Sequence, residues 1–107
     1  MKKVTVLGGS GFLGSHLCDI LSNKGYQVRI FDLKKPKKIK KNQKAYKGNI
    51  LDRKKLSRAI KGSDFVFNFA GLADLDDAKQ KPMETVNSNI LGTLNALFIC
   101  KKYNIKR

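Results

Sequence analysis

The chain lacks a long hydrophobic run. Among its 107 residues, no apolar stretch approaches the roughly 20 residues that a helix needs to span a bilayer, so we predict no membrane segment. The basic start Met1-Lys2-Lys3 is similar to the start of a signal peptide, but glycines interrupt the apolar run that follows it. We therefore predict that the chain is not exported, and we expect a cytoplasmic location.

Cysteine is also scarce. The only two, Cys18 and Cys100, both fall within predicted helices. Without an export signal they should stay reduced and pack as small apolar side chains. Neither has a histidine or lysine at helical spacing that would activate a thiol, so we do not expect a reactive cysteine.

Acidic residues are few, with 8 against 23 basic residues and a net charge of +15. Positions 34–61 contain thirteen lysines and arginines and a single acidic residue, Asp52. The lysine-rich segment 34–41, which we call the basic loop, has no interleaved aromatic residue on which bases could stack. We interpret it as a solvated connecting loop, with a patch that attracts a polyanion or an acidic substrate as the alternative. Nucleic acid is not the expected partner.

The most informative pattern is a glycine-rich turn. Gly8, Gly11 and Gly14 have the spacing G-x-x-G-x-x-G, with a strand pattern before them and a helical pattern after them. Backbone N–H groups and the positive end of the helix dipole can hold a pyrophosphate there. Gly8 would permit the tight turn, and Gly11 would let the phosphates approach the backbone. Gly14 would allow the helix to pack closely on the strand. Taken alone, the spacing also fits a flexible surface loop.

Strand and helix patterns alternate along the chain. Strands are predicted at 3–7, 27–31, 45–47 and 65–69, and helices at 12–24, 52–60 and 82–102. This alternation predicts an α/β fold with a doubly wound parallel sheet, and no repeat or linker indicates a second domain. Right-handed crossovers give the strand order 3-2-1-4, with a ligand crevice between strands one and four.

Each helix has a predicted buried face. The first would bury Leu13, Leu17, Ile20 and Leu21. The second, which Asp52 caps, would bury Leu56, Ala59 and Ile60. The third would bury Val86, Ile90, Leu94, Leu97 and Phe98.

Asp32 ends the second predicted strand, eighteen residues after Gly14. A carboxylate at this position can accept hydrogen bonds from the 2′- and 3′-hydroxyls of an adenosine ribose and would repel a 2′-phosphate, so NAD is favoured over NADP. Lys34 and Lys35 follow closely and could soften that preference, which leaves NADP open. The alternative for Asp32 is a turn residue at the end of a strand.

Four segments carry a resemblance to a known family, at 8–14, 48–52, 64–71 and 89–95. They read Gly-Gly-Ser-Gly-Phe-Leu-Gly, Gly-Asn-Ile-Leu-Asp, Asp-Phe-Val-Phe-Asn-Phe-Ala-Gly and Asn-Ile-Leu-Gly-Thr-Leu-Asn. Together they resemble the N-terminal part of an extended short-chain dehydrogenase/reductase of the nucleotide-sugar epimerase/dehydratase group. The resemblance implies a Rossmann-like fold that binds NAD.

The resemblance also implies roles for single residues. The turn contributes Phe12 and Leu13 beside its glycines, although Leu7 stands where the family usually has threonine. Asn49, in place of the usual aspartate, and Ile50 would hold the adenine edge, since an amide can still donate or accept a hydrogen bond.

Two further segments extend the implied site. Phe69, Ala70 and Gly71 would line the dinucleotide, with an ordinary strand-to-loop turn as the alternative. The side chain of Asn89 would reach the cofactor, with a solvent-facing polar residue as the alternative. A glycine in mid-helix, such as Gly92, lowers helix stability by about 1 kcal/mol relative to alanine. We therefore expect a structural reason for it, such as close packing on the cofactor strand.

The family's chemistry needs residues that this chain lacks. A serine or threonine and a Tyr-x-x-x-Lys pair carry the reaction in the family, and none of the three tyrosines here has a lysine four residues later. Tyr103 should simply end the last helix. We therefore interpret 1–107 as the N-terminal part of an NAD(P)-binding domain, truncated before strand five and inactive alone, with poorly covered phenylalanines on strand four. No catalytic residue and no metal site is predicted within it.

The resulting hypothesis is the NAD-binding portion of a nucleotide-sugar epimerase or dehydratase that acts by transient hydride transfer to NAD. In the complete enzyme the resemblance implies a nucleotide-sugar substrate and a homodimer. Two other classes stay open. One is a non-catalytic dinucleotide sensor, and the other is a polyanion-binding module built on the basic residues 34–61.

Overall fold

The computed structural model describes residues 2–70, 82–83 and 87–106, without the side chains at 87 and 88. The strands are β1 (Lys3–Leu7), β2 (Gln27–Asp32), β3 (Gln43–Lys47) and β4 (Phe65–Asn68). The helices are α1 (Phe12–Asn23), α2 (Arg53–Ile60) and α3 (Gly92–Lys102), and a π-helical turn, Asn87–Leu91, leads into α3. The predicted loop at 71–80, and with it Gly71, lies outside the described residues, as does Val86.

All pairings of the four strands are parallel, in the order β3-β2-β1-β4, which confirms the predicted topology. In the central strand β1, Val4 lies opposite Val28 of β2 and Phe65 of β4. Both faces of β1 are covered, which is why its sequence is almost continuously apolar. The carboxyl ends of β1, β2 and β4 therefore meet at one edge, where the glycine-rich turn begins.

The sheet has an apolar core on each face. One core contains Leu7 and Phe31 and is covered by α2 and α3. The other contains Val6, Ile30 and Cys18 and lies under α1. The predicted inward face of α2 is confirmed, since Leu56, Ala59 and Ile60 are fully buried, and Asp52 caps this helix by accepting from the backbone N–H of Lys55.

The predicted buried face of α1 is confirmed in part: Leu17 and Leu21 are half-buried and pack against the core, whereas Leu13 and Ile20 are 64% and 52% exposed. The fully buried residues of the helix are Gly14, Cys18 and Ser22. A Cβ atom on Gly14 would collide with the carbonyl oxygen of Gly8. Gly14 must therefore face Gly8, and this close approach favours burial of the small residues over burial of Leu13 and Ile20.

The predicted buried face of α3 is wrong for the same kind of reason. Leu94, Leu97 and Phe98 are 56%, 61% and 66% exposed, and Ile90 in the preceding turn is exposed too. The buried residues are Gly92, Asn95, Ala96 and Ile99. Gly92 does have a close contact, but its neighbour is Ile50 of the β3–α2 loop rather than β4, because a Cβ there would lie 2.5 Å from Ile50 Cγ2.

Strand β4 lies at one edge of the described sheet. Phe65 is half-buried, and Phe67 and Phe69 are 39% and 45% exposed, so the expected poor cover of these side chains is confirmed. Tyr103 directly follows α3, as predicted for a helix-end residue. Within the described part of the chain, no helix has the length and apolar character needed to cross a membrane.

Candidate functional site

A cleft of about 240 Å³ opens at the carboxyl ends of β1, β2 and β4. It lies where the chain order of the sheet reverses, which is the predicted crevice. Seven of the predicted site residues line it, namely Gly8, Gly11, Asp32, Asn49, Ile50, Phe69 and Ala70. Three residues that the sequence reasoning did not assign to the site complete the lining, namely Phe31, Leu33 and Gly48.

Of the four glycines in the glycine-rich turn, three are required by the protein's own packing, including Gly9, where a Cβ would lie 2.8 Å from Ile30 Cγ2. Gly8 has a φ of +79°, and a Cβ on it would lie 2.6 Å from the carbonyl carbon of Phe69. Gly14 is blocked by Gly8, as described above. A Cβ on Gly11 would meet only the Gly8 oxygen, at 3.4 Å, which is an ordinary contact. The absence of a side chain at Gly11 therefore leaves a space in the cleft that the packing of the protein does not require.

The N-terminus of α1 adjoins this room. Gly11 is the N-cap residue, no side chain caps the helix, and its first turn contains no acidic residue. The positive end of the helix dipole is therefore not neutralised by a side chain of the cap or first turn, which suits an anion. Phe12 and Leu13, 79% and 64% exposed, lie in this first turn but do not line the cleft.

Asp32 lies at the second side of the cleft with its carboxylate fixed in place. Its Oδ2 accepts from the backbone N–H of Ser10 at 3.0 Å, and its Oδ1 accepts from the backbone N–H of Lys34 at 3.2 Å. A carboxylate oxygen can accept more than one hydrogen bond. Asp32 therefore keeps acceptor capacity toward hydroxyl groups of a ligand while the backbone holds its orientation.

The loop between β3 and α2 forms the third side. Asn49 is exposed, and its Oδ1 accepts from the backbone N–H of Leu51 at 2.9 Å, a local turn that fixes the side chain. Ile50 is 6% exposed and provides an apolar wall. The loop thus presents one amide beside one apolar surface, which suits the edge and face of a planar ring.

The end of β4 forms the fourth side and is tied to the start of α3, and through it to the preceding π-helical turn. The N–H of Phe69 donates to the carbonyl of Leu7 at 2.7 Å, and that of Ala70 donates to Asn68 Oδ1 at 3.0 Å. Asn68 Nδ2 donates to Thr93 Oγ1 at 3.4 Å, and this hydroxyl donates to the backbone carbonyl of Asn89. The Asn89 side chain is exposed and does not line the cleft.

Asn95 is a buried polar residue of the segment 89–95, and the sequence predicted no role of its own for it. Its Nδ2 donates to the carbonyl of Ile50 at 3.2 Å, and its Oδ1 accepts from Arg53 Nε at 2.9 Å. It therefore joins α3 to the loop that lines the cleft. An asparagine three residues after a glycine on the same helix face was the available signal.

The cysteines have structural surroundings. Burial first, and the charge of Asp19 second, raise the pKa of the Cys18 thiol to about 12. Burial also raises the pKa of the half-buried Cys100 thiol. Cys18 packs in the core under α1, which confirms its predicted role as a small buried residue.

Comparisons with known proteins agree on one family. The model of the NAD dependent epimerase/dehydratase family matches residues 4–107. The chain is 33% identical to UDP-glucose 4-epimerase uge1 of Schizosaccharomyces pombe, over 96% of the chain and 32% of that relative. It is 32% identical to dTDP-D-glucose 4,6-dehydratase of Dictyostelium discoideum, over 100% of the chain and 28% of that relative.

A solved structure gives the same result for the fold. MoeE5 in complex with UDP-glucose and NAD has a TM-score of 0.88 and 26% identity, over 98% of this chain and 34% of MoeE5. This agreement confirms the expected Rossmann-like architecture. The chain spans about a third of the length of the proteins it matches.

Proposed function

This chain belongs to the NAD dependent epimerase/dehydratase family, and we propose that its cleft binds the adenosine and pyrophosphate of NAD. One observation carries the proposal: six predicted residues from the segments 8–14, 48–52 and 64–71, together with Asp32, line a single cleft. A chance combination of turn glycines and polar loop residues would not be expected to converge in this way.

Each side of the cleft suits one part of the ligand. The pyrophosphate is held near Gly11, where the N-terminus of α1 has no acidic neighbour in its first turn. The ribose hydroxyls donate to Asp32, and the adenine lies against Ile50 with the Asn49 amide at its edge. NAD supplies a hydride acceptor when it is bound, and this chain's part is to bind and orient it.

The activity of the whole protein is a further part of the proposal. The UDP-glucose 4-epimerase and the dTDP-D-glucose 4,6-dehydratase named above act, by their names, on nucleotide sugars. This supports an NAD-dependent enzyme that oxidises a sugar carbon transiently by hydride transfer. The substrate is a nucleotide sugar, and the working form is a homodimer. The 107-residue chain has no Tyr-x-x-x-Lys pair, so we expect it to bind NAD without turnover.

Calorimetric titration of the chain with NAD tests the binding proposal. Asp32→Asn removes the negative charge of the carboxylate that accepts hydrogen bonds from the ribose hydroxyls. It should weaken NAD binding about tenfold, which is the loss expected for a charge-assisted hydrogen bond. Asp52→Asn is the matched control, because it removes the same charge at the N-cap of α2 while asparagine still caps a helix. Absence of NAD binding by the unaltered chain, or equal weakening by both variants, would contradict the proposal.

A further inference from the structure

A cavity of about 280 Å³ lies at the amino ends of β1, β2 and β3, since the first residue of each strand, Lys3, Gln27 and Gln43, lines it. It is therefore at the opposite end of the sheet from the cleft, which opens at the carboxyl ends. We call this space the amino-end cavity. No carboxylate is among its described lining residues, whereas four of them are cationic, namely Lys3, Arg29, Lys41 and Lys44.

Two of these cations face each other across the sheet. Arg29 of β2 is paired in register with Lys44 of β3, so both side chains project from the same face. Neighbouring strands are about 4.8 Å apart, and like charges directly opposite each other destabilise a sheet. Within the part of the chain that the structure describes, neither residue has an ion-pair partner. The fold therefore keeps a repulsive pair that a bound anion would relieve.

The guanidinium of Arg29 is half-buried and held by one of its three nitrogens. Its Nη1 donates to the carbonyl of Ala59 at 3.0 Å and to the carbonyl of Lys61, at the end of α2. Its Nε and Nη2 donate to none of the residues that the structure describes. These two nitrogens form one edge of the guanidinium, and such a fork binds phosphate oxygens in a bidentate manner. Arg29 thus keeps donors for an anion in a fixed position.

Local contacts also fix the β3 side of the amino-end cavity. Asn42, just before β3, lines the cavity, and its Nδ2 donates to the carbonyls of Ser22 at 2.9 Å and Tyr26 at 2.7 Å. Lys44 Nζ lies 5.3 Å from the centroid of the Tyr46 ring, which orients the ammonium group without supplying a negative charge. The cationic groups are therefore arranged before a ligand binds, and such preorganisation favours affinity.

Volume and charge together select the ligand. Sites for drug-sized ligands measure about 300–1,000 Å³, so a space of about 280 Å³ fits a small anionic group rather than a whole nucleotide. Lys3, Arg29 and Lys44 come from three neighbouring strands, which span about 10 Å, more than a single carboxylate or phosphate covers. A chain of linked phosphates carries anionic oxygens along such a span, and both arginine and lysine bind them.

We propose that the amino-end cavity binds a chain of linked phosphates, either free inorganic triphosphate or the triphosphate tail of a nucleotide whose remainder lies outside the cavity. The site does not depend on the NAD proposal, because it shares no lining residue with the cleft. The sequence placed the polyanion alternative on residues 34–61, whereas Lys3 and Arg29 come from outside that segment.

Calorimetric titration of the chain with inorganic triphosphate tests this inference. Lys3→Gln/Lys44→Gln should weaken triphosphate binding about tenfold or more, while NAD binding changes by less than about threefold. Arg29 is left in place, because its replacement would also remove the bonds to α2. Lys54→Gln/Lys101→Gln is the matched control, since it removes two exposed charges that do not line the cavity and should change triphosphate binding little.

Urea denaturation gives a readout that needs no ligand. At low salt, Lys44→Gln should raise the urea midpoint, because Arg29 loses the like charge opposite it. Triphosphate should raise the midpoint of the unaltered chain, since it binds the folded state. Both shifts should shrink as the salt concentration is raised. A lower midpoint for Lys44→Gln would show that the pair does not repel in the empty chain, which overturns the proposal.

The outcomes separate this site from the cleft and one phosphate source from the other. Absence of triphosphate binding, or equal weakening by the two double variants, overturns the site. Triphosphate that saturating NAD displaces is bound in the cleft, which also overturns the site and leaves the NAD proposal intact. A chain that binds triphosphate but not NAD supports the site and contradicts the NAD proposal alone. Cytidine triphosphate, titrated separately, supports a nucleotide as the ligand if it binds more tightly than inorganic triphosphate and the free anion if it does not.

Discussion

The side-chain amide of Asn95 donates to the backbone carbonyl of Ile50 across 3.2 Å, from the buried face of α3 to the wall of the cleft. The other end of the amide accepts from Arg53 Nε at the start of α2. One side chain therefore fixes a helix, a loop and a second helix relative to one another. The position of the adenine wall thus depends on a residue that does not line the cleft.

Asn95→Ala should lower the free energy of unfolding by about 1–3 kcal/mol, because it leaves the buried Ile50 carbonyl without its donor and removes the part-buried hydrogen bond to Arg53 Nε. NAD binding should weaken as well, since the loop that carries Ile50 loses its tie. Urea denaturation and calorimetry measure the two effects. Asn23→Ala, at an exposed position with one long contact to Lys40, is the control and should change neither. Equal stability of the Asn95 variant and the unaltered chain would contradict the role.

Gly92→Ala should destabilise the chain, although the same change within an ordinary helix stabilises it by about 1 kcal/mol. The new Cβ would lie 2.5 Å from Ile50 Cγ2, and Ile50 is buried, so one of them must move. Overpacking of this kind costs about 1–3 kcal/mol. Thermal and urea unfolding should show the loss, and Ile50→Ala in the same chain should remove the clash and make Gly92→Ala favourable. A more stable single variant would contradict this packing.

The sequence predicted the parts of the fold that depend on local pattern. Strand order followed from the alternation of elements and crossover handedness, and the buried face of α2 followed from Leu56, Ala59 and Ile60. The exposed residues of α1 and α3 were missed because Gly14 packs against Gly8 and Gly92 packs against Ile50, and these close contacts outweigh the burial of larger side chains. The hydrogen bonds of Asn95, and the bond that Ser10 Oγ donates to the carbonyl of Lys34 in the basic loop, join residues far apart in the chain. A hydrophobic pattern contains no information on either.

The glycines of the turn should respond differently to alanine. Gly11→Ala should leave stability nearly unchanged, since the added Cβ meets only the Gly8 oxygen at 3.4 Å and the φ of −75° is ordinary. It should nevertheless weaken NAD binding tenfold or more, on the order of 1.4 kcal/mol, because the methyl group fills the space proposed for the pyrophosphate. Gly14→Ala should instead lower stability by about 2 kcal/mol or more through backbone collision. Calorimetry and urea denaturation of both variants measure this contrast, and loss of stability in Gly11→Ala would refute it.

Cys18 should make stability fall in alkaline solution. Its folded pKa is raised from 9.0 to about 12, mainly by burial, so between these values the folded state keeps a proton that the unfolded state releases. The contribution of the neutral Cys18 thiol to the free energy of unfolding is complete below about pH 9. It is lost as the pH rises toward about 12, at up to 1.4 kcal/mol per pH unit. Urea denaturation should therefore show that the free energy of unfolding is about 1 kcal/mol lower at about pH 10 than at about pH 8, and that Cys18→Ala lacks this decline. The lysines titrate equally in both proteins, so their effect drops out when the variant is compared with the unaltered chain. An equal decline in both proteins would mean that the folded chain does not hold the Cys18 thiol in its neutral form.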